Sequence, residues 1–229
     1  MGHGPKAGET AVVVRRAFRL FAAREEDPPQ LIAARLDRLV ASLEDREGRE
    51  VAGDDEYERR CEEFVTAQFI DIPRGHAADA ESSIVCCGHP PPLLLRDGRA
   101  AFLDAISPAP PLGLLDLAGG VCPRPSPLGA RAGDTVLLYT DGVTEARSGT
   151  GATYPLAERA ATVSRELAGE FDGAPAGRAL LDALKTGLIA HIGGKLRDDA
   201  TLMSLHLAEE PCEGAQDERA TKFSNIQYS

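Results

Sequence analysis

The amino-acid sequence predicts an α+β fold, and three observations carry that prediction. Two helical patterns open the chain, a series of short β-like runs follows, and two more helical patterns precede a last strand. That order lacks the regular strand–helix alternation of a parallel sheet. The chain has 229 residues, room for one domain or one plus an appendage. Its composition, 43% hydrophobic and 27% charged, argues against a wholly disordered chain.

Residues 11–23 mix apolar and basic side chains at helical spacing, with Val14, Phe18 and Phe21 on one face. Asp27-Pro28-Pro29 then reads as an N-cap followed by proline in the first turn. The helix it opens, 28–43, carries Ile32, Leu36, Leu39, Val40 and Leu43, a stripe that should face a core. The acidic stretch 44–63 reads as a loop or ragged helix end. Runs at 64–70, 83–87, 92–95 and 101–103 are β-like, the last preceded by an Asp97-Gly98 turn. A Pro/Gly-rich connection spans 107–127. Residues 135–140 form a buried-strand pattern that stops at Asp141-Gly142. Helices are expected at 155–168 and 178–191, and a final strand at 201–207. From Glu209 the apolar residues thin out, so 209–229 reads as a polar, disordered tail behind a domain of residues 1–208.

Several function classes drop out early. With 25 Lys+Arg against 36 Asp+Glu, the net charge of −11 opposes broad binding to a phosphate backbone, and Trp is absent, so no nucleic-acid partner is expected. No uncharged apolar run approaches the ~18 residues of a membrane helix. The opening residues lack the apolar core of a signal peptide. Five cysteines, an odd number including adjacent Cys86 and Cys87, do not read as a disulfide framework, which points to the cytoplasm. A thiol phosphatase needs Arg six positions after its Cys. After Cys61, Cys86, Cys87, Cys122 and Cys212 that position holds Ala67, Pro92, Leu93, Leu128 and Glu218. No zinc spacing, phosphate-cradling glycine loop or hydrolase serine elbow is present.

What is left for chemistry lies at strand ends. Asp141 closes a buried strand, and Asp198-Asp199 precedes the last one after Gly193-Gly194. Carboxylates held at the rim of a sheet suit a hard cation. Spacing alone also allows an ordinary Asp-Gly turn and a solvated Asp-Asp strand start, and that bland reading leads at this stage. His89, in Gly88-His89-Pro90-Pro91, reads first as a turn histidine ordering its loop and second as a ligand.

Taken together the motifs shift the balance. Phe64-Val65-Thr66-Ala67, Cys87-Gly88-His89-Pro90-Pro91, the run from Gly133-Asp134 through Tyr139-Thr140-Asp141-Gly142-Val143-Thr144-Glu145-Ala146, and Asp198-Asp199-Ala200-Thr201 occur in this order. They resemble the PPM (2C-type) metal-dependent protein serine/threonine phosphatases, in the bacterial SpoIIE/RsbU-like branch. The resemblance implies a four-layer α-β-β-α sandwich of two antiparallel sheets. It also implies hydrolysis of phosphoserine or phosphothreonine by a water held between two Mn²⁺ or Mg²⁺ ions. Asp141 and Asp198 would then be metal ligands and Asp199 an outer partner or extra ligand. Gly142 would shape the turn, and Thr140 and Thr201 would support the strand ends. Oxygen-rich ligation suits such ions, and a metal-activated water needs no protein nucleophile.

The family's first motif, Asp-x-x-Gly-His-Gly, is met here only by Met1-Gly2-His3-Gly4. Its metal-bridging Asp would fall two residues before Met1, and the strands preceding it are missing from the pattern. The chain as given is therefore expected to hold one of the two ions and to turn over poorly, with open sheet edges that favour a homodimer. The resemblance implies a phosphorylated anti-anti-sigma (STAS-type) protein as substrate, in sigma-factor and stress regulation. The competing reading is a pseudophosphatase that keeps the fold as a protein-binding module.

Overall fold

In the computed structural model, residues 5–23, 27–47, 64–72, 81–120, 122–168, 177–193, 196 and 199–207 are described. Residues 1–4, most of 44–63, Asp198 and the tail at 209–229 lie outside them. Helices α1 (Pro5–Ala22) and α2 (Pro29–Glu47) open the chain. Strands β1 (Ala67–Asp71), β2 (Ser83–Cys87), β3 (Leu93–Arg96) and β4 (Arg99–Phe102) follow. Next come β5 (Pro108–Ala109), β6 (Ser126–Pro127) and β7 (Thr135–Tyr139). The short α3 (Asp141–Thr144), then α4 (Leu156–Ala168), α5 (Gly177–Ile192) and β8 (Leu202–His206) complete it.

The strands form two sheets. In the first, β2 pairs with β1 on one edge and with β5 and β6 on the other; the second runs β4-β3-β7-β8. All pairings are antiparallel except β2–β5, a parallel contact that joins Cys86 to Pro108 and Cys87 to Ala109. The two-residue strands β5 and β6 sit inside the stretch expected to be plain connection. Each begins or ends with proline, and neither is long enough to show an alternating pattern.

Side-chain alternation sorts these elements into layers, because successive residues of a strand point to opposite faces. Phe69, Val85 and Cys87 pack under α2 with Ile32, Ala33, Leu36 and Val40. Their sequence neighbours Ile70 and Ile84 turn the other way and meet Val136, Leu138, Leu94 and Leu205 of the second sheet. From that sheet Leu93, Leu95, Leu137 and Tyr139 face Ala160, Val163, Leu180, Leu184 and Leu188 of α4 and α5. The result is the expected order of helices, sheet, sheet, helices. It also explains why Val136-Leu137-Leu138-Tyr139 is apolar throughout: both faces of β7 are covered.

The stripe on α2 is buried as expected, with Leu36 and Val40 each 1% exposed, while Leu39 and Leu43 are half-buried. The helix start differs by one residue from the sequence expectation. The Pro28 carbonyl accepts the first amides, from Leu31 at 2.9 Å and Ile32 at 3.2 Å, so Pro28 occupies the cap and Pro29 the first turn. Asp27 instead forms an ion pair with Arg35, whose guanidinium lies 5.7 Å from the Phe21 ring centre and so ties α2 to α1. In the β3–β4 turn both Asp97 (φ 50°) and Gly98 (φ 67°) are left-handed, the conformation a two-residue hairpin requires.

Two acids, Asp37 and Asp134, are buried. Asp37 projects from α2 into the core face and its Oδ1 accepts the amides of Gly113 (2.7 Å) and Leu115 (3.2 Å). Burial outweighs these bonds and raises its pKa. Asp134, just before β7, receives Arg96 at both carboxylate oxygens (2.9 and 2.5 Å) and the Arg131 amide at 2.7 Å. Its carbonyl accepts the Leu207 amide at 2.9 Å, and the neighbouring Gly133 amide donates to the Leu207 carbonyl at 2.7 Å, so Asp134 links the ends of β3, β7 and β8. The Arg96 guanidinium holds the Asp134 carboxyl below the ordinary carboxylate range.

Two outcomes test this account. Leu36→Ala should cost about 2–5 kcal/mol, read as a lowered denaturation midpoint, because the helix–sheet face has no slack to refill the space. Because the folded pKa of Asp134 is depressed, its contribution is present above its unfolded pKa and lost as pH falls through the folded value. Asp134→Asn should therefore lower stability by about 1–3 kcal/mol at neutral pH. In acid melts the wild type and the variant should converge as pH drops below the normal carboxylate range.

Candidate functional site

The candidate residues meet where the β7–β8 ladder runs out. Tyr139 pairs with Leu202, and the ladder continues one step, the Thr140 amide donating to the Thr201 carbonyl at 3.1 Å. Thr140 is the N-cap of α3, with extended backbone (φ −90°, ψ 159°), yet its hydroxyl does not cap the helix. Its Oγ1 donates to the Asp199 carbonyl at 3.2 Å and accepts the Thr201 amide at 2.9 Å. One hydroxyl thus clasps the 199–201 segment to the start of the Asp141 turn.

Gly142 completes the clasp by leaving room. A Cβ built on it would lie 2.4 Å from the Asp199 carbonyl oxygen and 3.0 Å from its carbon, both main-chain atoms. No side chain fits there without parting the two segments. Asp141 is half-buried, and its Oδ1 accepts the Gly142 amide at 3.0 Å, which fixes the rotation of the carboxylate. Its own carbonyl takes the Glu145 amide at 2.8 Å and the Thr144 hydroxyl at 3.3 Å.

The structure thus brings Thr140, Asp141, Gly142, Asp199 and Thr201 together, with Asp199 exposed at the rim. Asp198 is outside the described residues, as is the Gly2-His3-Gly4 segment. Among the described residues no three His, Cys, Asp or Glu side chains are grouped closely enough to hold a cation. The donors present are carboxylate oxygens, which fit a hard divalent ion and not zinc in a sulfur–nitrogen cage.

His89 lies beside this edge. Its ring is half-buried, with Nδ1 3.3 Å from Thr66 Oγ1, and burial pushes its pKa down against the opposing influence of the Tyr139 carbonyl and the Asp141 charge. Protein nucleophiles are disfavoured here. Burial raises the Cys86 thiol, pushes the Cys87 thiol up to about 12 and the Tyr139 phenol to about 12.

Two facing sheets between helical layers match the PP2C-type phosphatase fold. The family model of Stage II sporulation protein E (SpoIIE) matches residues 1–208, and the chain belongs to that family, a group of PPM-type phosphatase domains. Among solved structures it is similar to the RsbU and RsbW domains of a Mycobacterium tuberculosis protein. The identity there is 25% and the TM-score 0.58, over 93% of this chain and 51% of that one. It also resembles the PP2C phosphatase domain, with a fragment of the regulatory domain, of the cell fate determinant SpoIIE from Bacillus subtilis (14%, TM-score 0.61, 92% and 53% covered). The SiaA PP2C domain of Pseudomonas aeruginosa is a third (18%, TM-score 0.61, 90% and 71% covered). The chain spans about half the length of the first two. Comparison with curated proteins finds no match.

The close approach at Gly142 yields a direct test. Gly142→Ala should cost about 1–3 kcal/mol, because only backbone movement can relieve the overlap. The same substitution should expose the Thr201 amide, read as faster hydrogen exchange there while the Asp134 end of β7 keeps its protection.

Proposed function

We propose that this chain is a metal-dependent protein serine/threonine phosphatase. Its substrate would be phosphoserine or phosphothreonine on a small regulatory protein of the anti-anti-sigma (STAS) type. The observation that carries the reading is the clasp of Thr140 on the Asp199 segment, which sets a carboxylate from each of two strand ends at one edge of the sandwich. Membership of the SpoIIE family supplies the chemistry to which such an edge is suited.

In this reading Asp141 and Asp198 hold the ions, Mn²⁺ or Mg²⁺, and Asp199 stands behind them or adds a further ligand. Bound there, divalent ions supply an acidified water and a counter-charge for the phosphoryl oxygens. The protein's own part is positional. The Gly142 amide fixes the Asp141 carboxylate, Thr140 and Thr201 fix the depth of the Asp199 segment, and Gly142 lets the two approach. The raised thiols and phenol leave attack to water, not to Cys or Tyr.

A protein substrate is favoured by the relatives: the structure from M. tuberculosis carries RsbU and RsbW domains in one protein. A cytoplasmic setting is part of the proposal, supported by the free thiols of Cys86, Cys87 and Cys122. Among the described residues no helix is long and apolar enough to cross a membrane.

Mn²⁺-dependent release of phosphate from a phosphorylated anti-anti-sigma protein, beside a phosphothreonine peptide, tests the activity. Asp141→Asn should abolish release and weaken Mn²⁺ binding in calorimetry by at least about tenfold, through loss of a ligating charge. Equal binding heats in both proteins would remove Asp141 from the metal site. Mn²⁺ binding without release from either substrate would favour the pseudophosphatase reading.

A further inference from the structure

We propose that the outer edge of β8 is a pairing surface for a second copy of this chain. Two β8 strands join antiparallel about a two-fold axis at Ser204 and make one continuous sheet across the dimer. The proposal stands on the ladder geometry and is independent of the phosphatase reading above.

The β7–β8 register fixes which main-chain groups point outward. At one end the Thr140 amide donates straight across to the Thr201 carbonyl at 3.1 Å, and at the other the Leu207 amide donates to the Asp134 carbonyl at 2.9 Å. In an antiparallel ladder such bonded pairs alternate with unbonded ones. Residues 201, 203, 205 and 207 therefore turn their N–H and C=O groups toward β7, and Leu202, Ser204 and His206 turn theirs away. Among the described residues no strand takes up those outward groups, because β8 ends the order β4-β3-β7-β8.

Outer strands are commonly guarded against such pairing by charge or proline. Strand β4 opens on Arg99, and β1 ends on Asp71. The run Leu202-Met203-Ser204-Leu205-His206 holds no acid, lysine, arginine or proline. In a chain of net charge −11, this edge lets two copies meet without setting carboxylates against each other.

The side chains suit a second copy of the same strand. With Ser204 opposite Ser204 of the partner subunit, Leu202 meets the partner subunit's His206, and each such pair exchanges both of its main-chain bonds. Met203 then stands opposite the partner's Leu205 as a close, unbonded pair. This accounts for an oddity of Met203. It shares a strand face with Leu205 and Leu207, which pack between the sheets, yet it is 47% exposed. A strand laid beside β8 covers it. The two copies of Thr201 come to lie about 20 Å apart, at opposite ends of the joined strands, so neither Asp141 turn falls within the joint.

Sedimentation velocity on the full chain, combined with amide hydrogen exchange at low and high protein concentration, tests the proposal. The expected result is a dimer in which the amides of 202, 204 and 206 exchange about tenfold more slowly at high concentration. Those of 203 and 205, bonded to β7, should be slow at both. Met203→Lys should be monomeric with an unchanged thermal midpoint, because the lysine stem can lie on the sheet while its ammonium reaches water. Ser204→Pro should also be monomeric, since it removes only an outward amide. A wild type that is monomeric at every concentration would overturn the proposal. So would a dimer whose 202, 204 and 206 amides exchange freely, which is joined elsewhere, or a monomer in which they are protected, whose edge is held by another segment. Either variant dimerising like the wild type, or both losing the dimer only in step with a lowered midpoint, would overturn it as well.

Discussion

The Asp199 backbone lies against Gly142 at a distance no Cβ could tolerate, and the Thr140 hydroxyl holds it there. Residues that are 59 positions apart in sequence share a single edge because of this contact. Each part of the arrangement is specific to its residue type. A valine at position 140 would fill the same volume but could neither donate to the Asp199 carbonyl nor accept from Thr201. The hydroxyl has been diverted from capping α3 to joining two segments, and the Asp141 carboxylate meets the Gly142 amide of the first turn instead.

The two ends of β7 show how burial and partners give similar acids different work. Asp134 is almost fully buried and meets a guanidinium on both oxygens, so its charge is spent on holding three strand ends together. Asp141, a strand's length away, is half-buried, and the described hydrogen bond of its carboxylate is to one local amide. One end of the strand is an anchor, and the other carries a carboxylate with a single local hydrogen bond. Because β7 is covered on both faces, movement at the anchored end cannot easily be absorbed before it reaches the other.

Much of this was legible in the residues. The α2 stripe at Ile32, Leu36 and Val40, the all-apolar run in β7 and the Asp97-Gly98 turn each carry a local physical signal, and each falls where expected. The layer order is a consequence of alternation, but which face of β2 meets helices and which meets the other sheet depends on partners distant in sequence. The family resemblance implied the layer order but not that assignment. Strands β5 and β6 had no signal to read, being two residues each beside prolines. Asp37 looks like a surface position of an amphipathic helix until the 113–115 loop brings two amides to it. At the site, Asp141, Gly142, Thr140, Thr201 and Asp199 converge, whereas the reason for the glycine, a main-chain neighbour 57 positions away, could not be seen locally.

Distance along the chain also means delay. Strand β7 and its partner β3 are both synthesised well before the other neighbour of β7, β8. At ~5–20 residues per second a ribosome needs roughly 3–12 s to bring Asp199 out after Thr140. For that interval the apolar β7 has an unpaired edge, the kind of surface that invites another chain. The nascent protein is therefore exposed to mispairing for as long as its candidate site is unbuilt, and the arrival of the 199–206 segment closes both at once.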